Sequence, residues 1–397
     1  MDMPDDMILE IFSWLPAKSV CKFKCVNKFY NTVSSEDTYF IQKQSQNALL
    51  RDDSCFFLQP NSVQRYGAEI EFHQLHSKNP ISGVSHEFLQ FLEYYPSCRI
   101  VASSKGLILA RSDKELFICN PITQSWLPVP TPDFLKEYPD ADLKLVLECN
   151  TEDSNDFMLL LFEAQDEWAS QCHDLKFYSI KEGAWKAIEA SFFTGCRPLR
   201  FDMHVYHRKA FHFISDCFPF LCNKCPHFRP YIMAYNIEDG SSRMLRIPKE
   251  ARAGSHDLTC QMGIYKWGKS PSSDQSICLV RLRKKVFTVW VLTDYEVNKW
   301  RKILKIRVKA MGTKEEDPII ITGFTVMNGD RLIFTTEKKI YGYGLRQEIY
   351  MKLEEICEHG FGRDATRFTA YSDTLRPCGD GAAKLPLLQQ QYSSSLV

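Results

Sequence analysis

The sequence predicts a multidomain protein of the α plus all-β class, in which a small unit of three helices precedes a β-propeller that takes up most of the chain. Three observations predict this fold. Helix signals are confined to about the first forty residues, short strand-like runs separated by turn clusters begin near Ser54, and one strand–turn–strand element recurs at a nearly constant spacing. A chain of 397 residues is long enough to bury a sizeable core.

The helical unit opens with the stretch DMILEIFSWLPAKS, residues 6–19. Pro4 suits the first turn of a helix, and the two aspartates that follow it complement the positive end of the helix dipole. Pro16 then ends this first helix and opens a second one over residues 17–25. A third short helix is predicted over residues 27–34.

The first helix has more apolar side chains than one buried face requires. Seven of the nine residues from Met7 to Leu15 are large and apolar, whereas an amphipathic helix has about three in seven. A unit of about forty residues has too little protein around it to bury both faces. We expect one face to build the helical core and the other to dock on a second protein; the alternative is that this helix packs on the propeller.

The repeated strand–turn–strand element predicts the blades of the propeller. Residues 126, 185, 244, 300 and 350 occupy equivalent positions, at intervals of 59, 59, 56 and 50 residues. Units of this length hold about four short strands with their turns, which is one blade of a propeller. The five elements are Phe117–Trp126, Phe177–Trp185, Tyr231–Met244, Val286–Trp300 and Ile340–Tyr350.

The two ends of the chain are predicted to form a last blade together. Residues 54–60 and 68–75 offer strands before the first unit, and residues 367–375 offer one after the fifth. Neither end makes a complete blade, and joining them removes the open sheet edge that a five-unit arc would expose. Six blades are therefore favoured, with five or seven as alternatives, and residues 376–397 are expected to be a flexible tail.

Composition excludes several classes of partner. The 49 Lys plus Arg balance the 49 Asp plus Glu, so no net charge favours nucleic acid or an anionic membrane. The N-terminal apolar run lacks a basic flank, and between Pro4 and Pro16 it has roughly half of the ~20 residues that a bilayer requires. The 15 cysteines are odd in number and irregularly spaced, which favours reduced thiols. We expect a protein of the cytoplasm, the nucleus or both, with no nucleic-acid partner, no membrane partner and no cofactor.

The N-terminal sequence MPDDMILEIFSWLPAKSVCKFKCVNKFYNTVSSEDTYF resembles an F-box. The resemblance rests on the acidic, proline-led first helix, on Leu15–Pro16 between the helices, and on a Val-x-Lys-x-aromatic pattern at Val26–Tyr30. Met3 departs from the family, where Leu is usual, and Tyr30 stands where Trp is common. Both substitutes keep an apolar or aromatic body, so the motif is weakened rather than lost.

The remainder is similar to plant F-box proteins in which the box is followed by an F-box-associated, kelch-like region. SSKGLILAR and then LFICNPITQSWLPVP match the opening signature of that region. The residues in the expected order are Gly106, Asn120, Pro121, Thr123, Trp126 and Pro128. The predicted domains are an F-box at 1–45, a linker with N-terminal strands at 46–97, a kelch-like β-propeller at 98–375, and the flexible tail at 376–397.

The resemblance implies a non-catalytic, substrate-recognition subunit of a Skp-cullin-F-box type E3 ubiquitin ligase. The F-box would bind a Skp-type adaptor, with cullin and RING subunits attached through it, and the propeller would hold an unknown protein substrate for ubiquitination and degradation by the proteasome. The lysines at 18, 22, 24 and 28 either meet an acidic adaptor surface or form a solvated helix face. The residues carried over as adaptor contacts, or as the core that supports them, are Pro4, Ile8, Leu9, Phe12, Leu15, Pro16, Val20, Phe23, Val26 and Tyr30.

The segment CFPFLCNKCPHF, residues 217–228, has two interpretations. Cys222 and Cys225 have the spacing of a zinc half-site and His227 follows, but no second ligand pair stands at standard spacing. A long inter-strand loop is favoured over a metal site, because such loops often carry recognition. We therefore predict no bound metal. The predicted substrate contacts are Phe218, Phe220, His227 and Phe228.

No sequence motif of an active site occurs: a phosphate-binding Gly-rich loop, a Gly-x-Ser-x-Gly elbow and a His-Glu-x-x-His pair are all missing. The alternative to a ligase subunit is a propeller-based ligand-binding module or enzyme with a helical cap, not associated with a ligase. This alternative predicts that Ile8, Phe12 and Leu15 are all buried inside the chain.

Overall fold

The computed structural model of the chain contains a helical unit followed by six antiparallel β-sheets. It describes residues 4–50, 55–61, 70–75, 84–94, 98–112, 115–133, 144–150, 156–165, 171–217, 227–255, 257–268, 275–316, 318–346, 352–379 and 382–384. Among the helices in these ranges, none is both long enough and apolar enough to cross a membrane.

The helical unit has one helix more than the sequence predicts. Its members are α1 (Asp5–Ser13), α2 (Ala17–Phe23), α3 (Lys28–Glu36) and α4 (Thr38–Leu50). Helix α4 is missing from the prediction because polar side chains occupy much of its buried face. Gln44, Ser45 and Asn47 are all buried, and this interrupts the apolar periodicity by which a helix is found in a sequence.

Most of the chain forms strands. In chain order the first twelve are β1 Cys55–Pro60, β2 Glu71–Gln74, β3 Arg99–Ser104, β4 Leu107–Arg111, β5 Leu116–Asn120, β6 Ser125–Val129, β7 Leu145–Cys149, β8 Phe157–Ala164, β9 Cys172–Ser179, β10 Ala184–Phe193, β11 Leu199–His207 and β12 Ala210–Ser215. The others are β13 Tyr231–Asn236, β14 Ser242–Arg246, β15 Gln261–Trp267, β16 Ser276–Arg283, β17 Val286–Asp294, β18 Lys299–Arg307, β19 Gly323–Met327, β20 Arg331–Thr335, β21 Lys339–Gly344, β22 Leu353–Glu358, β23 Thr366–Tyr371 and β24 Ala383–Lys384.

These strands form the six blades of a propeller. Blades 1 to 5 are β3–β6, β7–β10, β11–β14, β15–β18 and β19–β22, each paired in sequence order. The first four repeated elements of the sequence are outer hairpins of blades, as Phe117–Trp126 in β5–β6 and Tyr231–Met244 in β13–β14 illustrate. The fifth begins in β21, and its last residue, Tyr350, lies outside the described residues. The prediction of repeated four-strand units is therefore confirmed.

Blade 6 is built from both ends of the chain, as the sequence predicts. Strand β1 pairs with β2 on one side and with β23 on the other, so that Phe57 lies opposite both Phe72 and Thr369. The inner strands β3, β7, β11, β15, β19 and β23 contact one another in a closed ring. Closure places the free edge of each inner strand inside the ring, where it is protected from pairing with another chain.

The propeller has two distinct faces. The ends of neighbouring inner strands meet on one face, where Gly268 N donates to Gly329 O and Cys149 N donates to Ser104 Oγ. We call this the proximal face, and the face where the inner strands begin the distal face. The helical unit packs on the proximal face, because its core includes Ile122 of the β5–β6 turn and Leu375 after β23. Gln44 of α4 strengthens this junction by accepting a hydrogen bond from Leu375 N, at 3.1 Å.

Three short elements lie outside the predicted pattern. Helix α5 (His86–Tyr94) falls where a linker is predicted, and its Phe88 and Phe91 pack with Phe57 and Phe117 between blades 6 and 1. The other two are a helix at Lys249–Arg252 and a 3₁₀ turn at Val308–Met311.

The ordered chain continues past residue 375, where a flexible tail is expected. Arg376 is 2% exposed and Cys378 is fully buried. Asn120 Nδ2 donates to the backbone oxygens of Thr374 and Arg376, and β24 pairs with β6 on the outside of blade 1. Buried hydrogen bonds hold this segment although it has no strand periodicity, so the propeller extends at least to Lys384.

A chain that ends at Leu375 is expected to be less stable than one that ends at Lys384. The shorter chain loses Arg376, whose guanidinium donates to the backbone oxygens of Asn150 and Asp156. Losing the two hydrogen bonds of this buried, charged guanidinium costs about 3 kcal/mol of unfolding free energy. The midpoints of thermal and urea unfolding of the two chains measure the difference, and equal midpoints would show that the segment after Leu375 is not part of the fold.

Candidate functional site

Helix α1 carries an exposed apolar stripe. Met7, Ile11 and Trp14 are 56%, 51% and 48% exposed and follow one another at helical spacings of four and three residues. Side chains at these spacings share one face of a helix. The stripe is a continuous apolar surface that nothing in the described part of the chain covers.

The opposite side of α1 builds the core of the helical unit. Leu9, Phe12 and Leu15 pack against buried Val20 and Phe40. The ring of Phe12 lies 4.9 Å, between centroids, from the rings of both Phe23 and Tyr30. One face of α1 thus packs in the core of the helical unit and the other is exposed to solvent. The excess of apolar residues in α1 predicts such a division.

The ten adaptor-site candidates divide into three groups. Pro4 and Val26 are exposed, and Val20 is buried in the core. The other seven are half-buried: Ile8, Leu9, Phe12, Leu15, Pro16, Phe23 and Tyr30. The list leaves out the stripe Met7, Ile11 and Trp14, as well as Phe29, which is 39% exposed. The helical spacing of the stripe was present in the sequence, but it does not tell which of two apolar faces of α1 packs inward.

The helical-cap alternative predicts that Ile8, Phe12 and Leu15 are buried inside the chain. All three are only half-buried. The unit meets the propeller at Ile122 and Leu375, and Gln44 of α4 bonds to Leu375 N, so the two parts are joined without burying the whole of α1.

A second candidate surface lies on the distal face, around the loop between β12 and β13. The buried side chain of Arg197, which is 1% exposed, bonds to residues on both sides of this loop. Its guanidinium donates to Asp216 Oδ1 at 2.9 Å before the loop, and to the backbone oxygens of His227 and Phe228 at 2.9 and 2.7 Å after it. Arg197 therefore holds both flanks of the loop together, a role that the sequence did not indicate.

The residues predicted for this loop are only partly described. His227 and Phe228 lie half-buried beside Arg197, whereas Phe218, Phe220, Cys222 and Cys225 lie outside the described residues. His227 Nδ1 is 3.5 Å from Cys196 Sγ. Within the described ranges, no group of three or more His, Cys, Asp or Glu side chains is arranged to hold a metal ion.

A central channel runs along the propeller axis, with a volume of about 1250 Å³. Gln46, Leu49 and Leu50 of α4 line its proximal end, and Cys217 and Cys260 line its distal end. The helical unit thus stands over one mouth of the channel. A volume of this size exceeds that of ordinary small-molecule sites.

Two carboxylates, buried Glu148 and half-buried Asp202, face cations inside the channel. Glu148 Oε1 lies 3.2 Å from Lys105 Nζ and 3.6 Å from Lys266 Nζ. Burial raises the pKa of Glu148, but the charges of these two lysines outweigh burial and hold the pKa below its ordinary value. Burial lowers the pKa of His204, beside Glu148, so this imidazole is neutral at pH 7. Glu148 is therefore charged and shared by two ammonium groups.

The second carboxylate is Asp202, which accepts hydrogen bonds from Arg200 Nε and Nη2 at 2.9 and 2.8 Å. Burial raises the pKa of Asp202, but the bonds from Arg200 and the charge of Arg367 outweigh it and lower the pKa to about 2. This carboxylate is also charged, and it too is shared by two cations.

Comparison with known proteins identifies both parts of the chain. A family model of the F-box domain matches residues 1–41, and a model described as "F-box protein At3g26010-like, beta-propeller" matches residues 68–327. Two similar curated proteins are from Arabidopsis thaliana. F-box protein CPR1 is 20% identical over 85% of this chain and 78% of its own length. F-box protein At5g49610 is 24% identical over 94% of this chain and 97% of its own length.

Solved structures are less similar. The tricorn protease aligns with 67% of this chain and 26% of its own, at 10% identity and a TM-score of 0.30, which is too low to support an argument. The two family models agree with the helical unit and with the β-propeller described above. This chain belongs to the F-box proteins whose F-box is followed by an At3g26010-like β-propeller.

Proposed function

We propose that this chain is the substrate-recognition subunit of a Skp-cullin-F-box ubiquitin ligase. The F-box binds a Skp-type adaptor, through which cullin and RING subunits are attached, and the propeller binds a target protein. The observation that supports this most directly is the exposed stripe Met7–Ile11–Trp14, on the face of α1 that faces away from the core of the F-box. Large contiguous apolar surfaces on soluble proteins mark sites of association.

The positions of the two candidate surfaces suit a subunit that connects two partners. The F-box packs on the proximal face, while the loop held by Arg197 lies on the distal face. A target on the distal face and an adaptor on the F-box therefore do not compete for the same surface. Such a subunit needs no reactive side chain, because it acts by raising the effective concentration of the target near an E2 enzyme that carries ubiquitin.

The experiment that tests this proposal is reconstitution with purified partners. The full chain is co-expressed with a plant Skp-type adaptor, and the product is passed over a size-exclusion column alone and after addition of a cullin–RING pair. We expect the chain and the adaptor to elute as one complex, and to shift to a larger species with the cullin. Elution of a folded chain apart from the adaptor would contradict the proposal.

The second candidate is a ligand-binding propeller or enzyme that works without a ligase. The observation that favours it is the charged channel around Glu148 and Asp202. It predicts ligand turnover or binding by the chain alone, and no stable complex with the adaptor in the experiment above.

A further inference from the structure

Two free cysteines from neighbouring blades lie side by side at the distal end of the channel. Cys217 follows β12 of blade 3 and Cys260 precedes β15 of blade 4. Both line the channel, and both pack in one apolar cluster with Val205 and Met262. The thiol of Cys217 is hydrogen-bonded to Cys260. Strands β12 and β15 are in contact, so the backbones that carry these thiols are also close, as a disulfide requires.

The backbone beside each cysteine is held in place by hydrogen bonds. Asp216, the residue before Cys217, accepts from Arg197 with its carboxylate and with its backbone oxygen, at 2.9 and 3.2 Å. Cys260 N donates to Asp257 O at 2.8 Å, in the turn before β15. The fold therefore keeps the two thiols together.

The two sulfurs differ in acidity. The hydrogen bond with Cys217 lowers the pKa of Cys260 most. The charges of Arg281 and Arg283 lower it further, against burial, and the pKa is about 7. The same hydrogen bond, together with burial, raises the pKa of Cys217. Arg281 is fixed beside the pair, because its guanidinium donates to two backbone oxygens at 2.6 and 3.0 Å. A large share of Cys260 is thus thiolate at neutral pH, which is the reactive form.

We propose that Cys217 and Cys260 are a site of reversible oxidation, at which hydrogen peroxide converts the two thiols into a disulfide. The thiolate of Cys260 attacks one oxygen of the peroxide and the O–O bond breaks. Cys260 becomes a sulfenic acid, and the other oxygen leaves as water with the proton that Cys260 released. The sulfur of Cys217 then attacks the sulfur of Cys260, the S–O bond breaks, and the hydroxyl group leaves with the proton of Cys217 as a second water. One peroxide is reduced and two thiols are oxidised.

The hydrogen bond between the thiols sets the order of the two steps. While Cys260 is a thiolate, its negative charge holds the proton on Cys217. Once Cys260 is a sulfenic acid this charge is gone, and Cys217 is free to attack. The disulfide joins blade 3 to blade 4 and fixes the first residue of the loop between β12 and β13. The proposal does not depend on a ligase role, since it concerns only the propeller.

The test is peptide mapping of the full chain after brief treatment with hydrogen peroxide and alkylation of the remaining thiols. We expect a disulfide between the tryptic peptides 210–224 and 253–266, which carry Cys217 and Cys260, and its loss after reduction with dithiothreitol. Peptide 210–224 also contains Cys222, so the map is repeated with a Cys222→Ser variant, in which the link should remain. A map without this link, or a link that requires Cys222, would overturn the proposal.

The chain contains its own controls for exposure. Cys25 is exposed on the F-box, whereas Cys119 and Cys378 are fully buried in the propeller. We expect Cys260 to be oxidised at least about tenfold faster than any of these three, because thiolate character as well as access sets the rate. Oxidation of Cys25 before Cys260 would show that exposure alone decides the reaction, and would contradict the proposal.

Two serine variants separate the roles of the two cysteines. In Cys217→Ser the sulfenic acid of Cys260 has no second thiol to attack it, so it should accumulate and be trapped by dimedone. In Cys260→Ser, Cys217 should stay reduced at the same peroxide concentration. Absence of the dimedone adduct from the first variant, or an oxidised Cys217 in the second, would show that these roles are wrong. Circular dichroism checks that both variants fold, and the wild-type map decides the question if one does not.

Discussion

Replacing Ile11 and Trp14 together by serine is expected to abolish co-purification with a Skp-type adaptor and to leave the fold intact. Both side chains are about half exposed in the chain alone, so the free protein loses little when they are truncated. Apolar anchors at the centre of an interface typically contribute about 2 kcal/mol or more each. The double variant should therefore bind the adaptor with a Kd raised about a thousandfold.

The controls are chosen to separate docking from folding. Leu258 and Val297 are 84% and 70% exposed on the propeller, and a Leu258→Ser/Val297→Ser variant removes comparable apolar surface without touching the F-box. We expect it to bind adaptor normally. Phe12→Ala should instead lower the melting temperature, because Phe12 packs in the F-box core. If the Ile11 and Trp14 variant still binds adaptor like the wild type, the stripe is not the docking surface.

Replacing Arg197 by methionine is expected to release the distal loop and to lower the free energy of unfolding by about 3–5 kcal/mol. The substitution keeps an apolar body of similar length but removes the donors to Asp216 Oδ1, His227 O and Phe228 O. Removing one partner of a buried ion pair leaves the other charge without compensation, and the unpaired carbonyls add to the cost.

Hydrogen exchange measures this release directly. Tyr231 lies next to Arg197, and its hydroxyl donates to Thr194 O. Amide protons near Tyr231 should exchange faster in the Arg197→Met variant. The matched variant is Arg283→Met, in which an arginine on blade 4 loses its contact with Asp257; exchange around the distal loop should then stay at the wild-type rate. Unchanged exchange in Arg197→Met would show that other contacts hold the loop.

The propeller was predictable because its strands repeat. Each blade presents the same outer hairpin, and the spacing of Trp126, Trp185 and Met244 is a property of the sequence alone. The closing blade was predictable for the related reason that both chain ends left incomplete units. Helix α4 was not predictable from periodicity, because Gln44 and Asn47 on its buried side are satisfied by Leu375 N and Ser13 Oγ, groups that are distant in sequence.

The candidate sites, like the fold, were only partly predictable from the sequence. The excess of apolar residues in α1 indicates a docking helix, but that Ile11 points outward and Phe12 inward follows only from the packing of α2, α3 and α4 against one side of α1. Arg197 has no sequence signal, since its partners become neighbours only when β11, β12 and β13 pair. The charges of the channel come from five different strands or turns of the ring and have no common motif.

The sequence by itself determined the order of the parts: an F-box, five repeated units and a last blade shared by the two chain ends. The repeated units and the shared blade follow from local periodicity, and the F-box follows from the resemblance of residues 3–40 to that family. The tertiary structure decided which apolar face of α1 remains exposed, which arginine holds the distal loop, and that Lys105, Glu148 and Lys266 meet inside one channel. Burial and charge pairing depend on contacts between residues that are far apart in the chain. These residues become neighbours only when the ring of blades has closed.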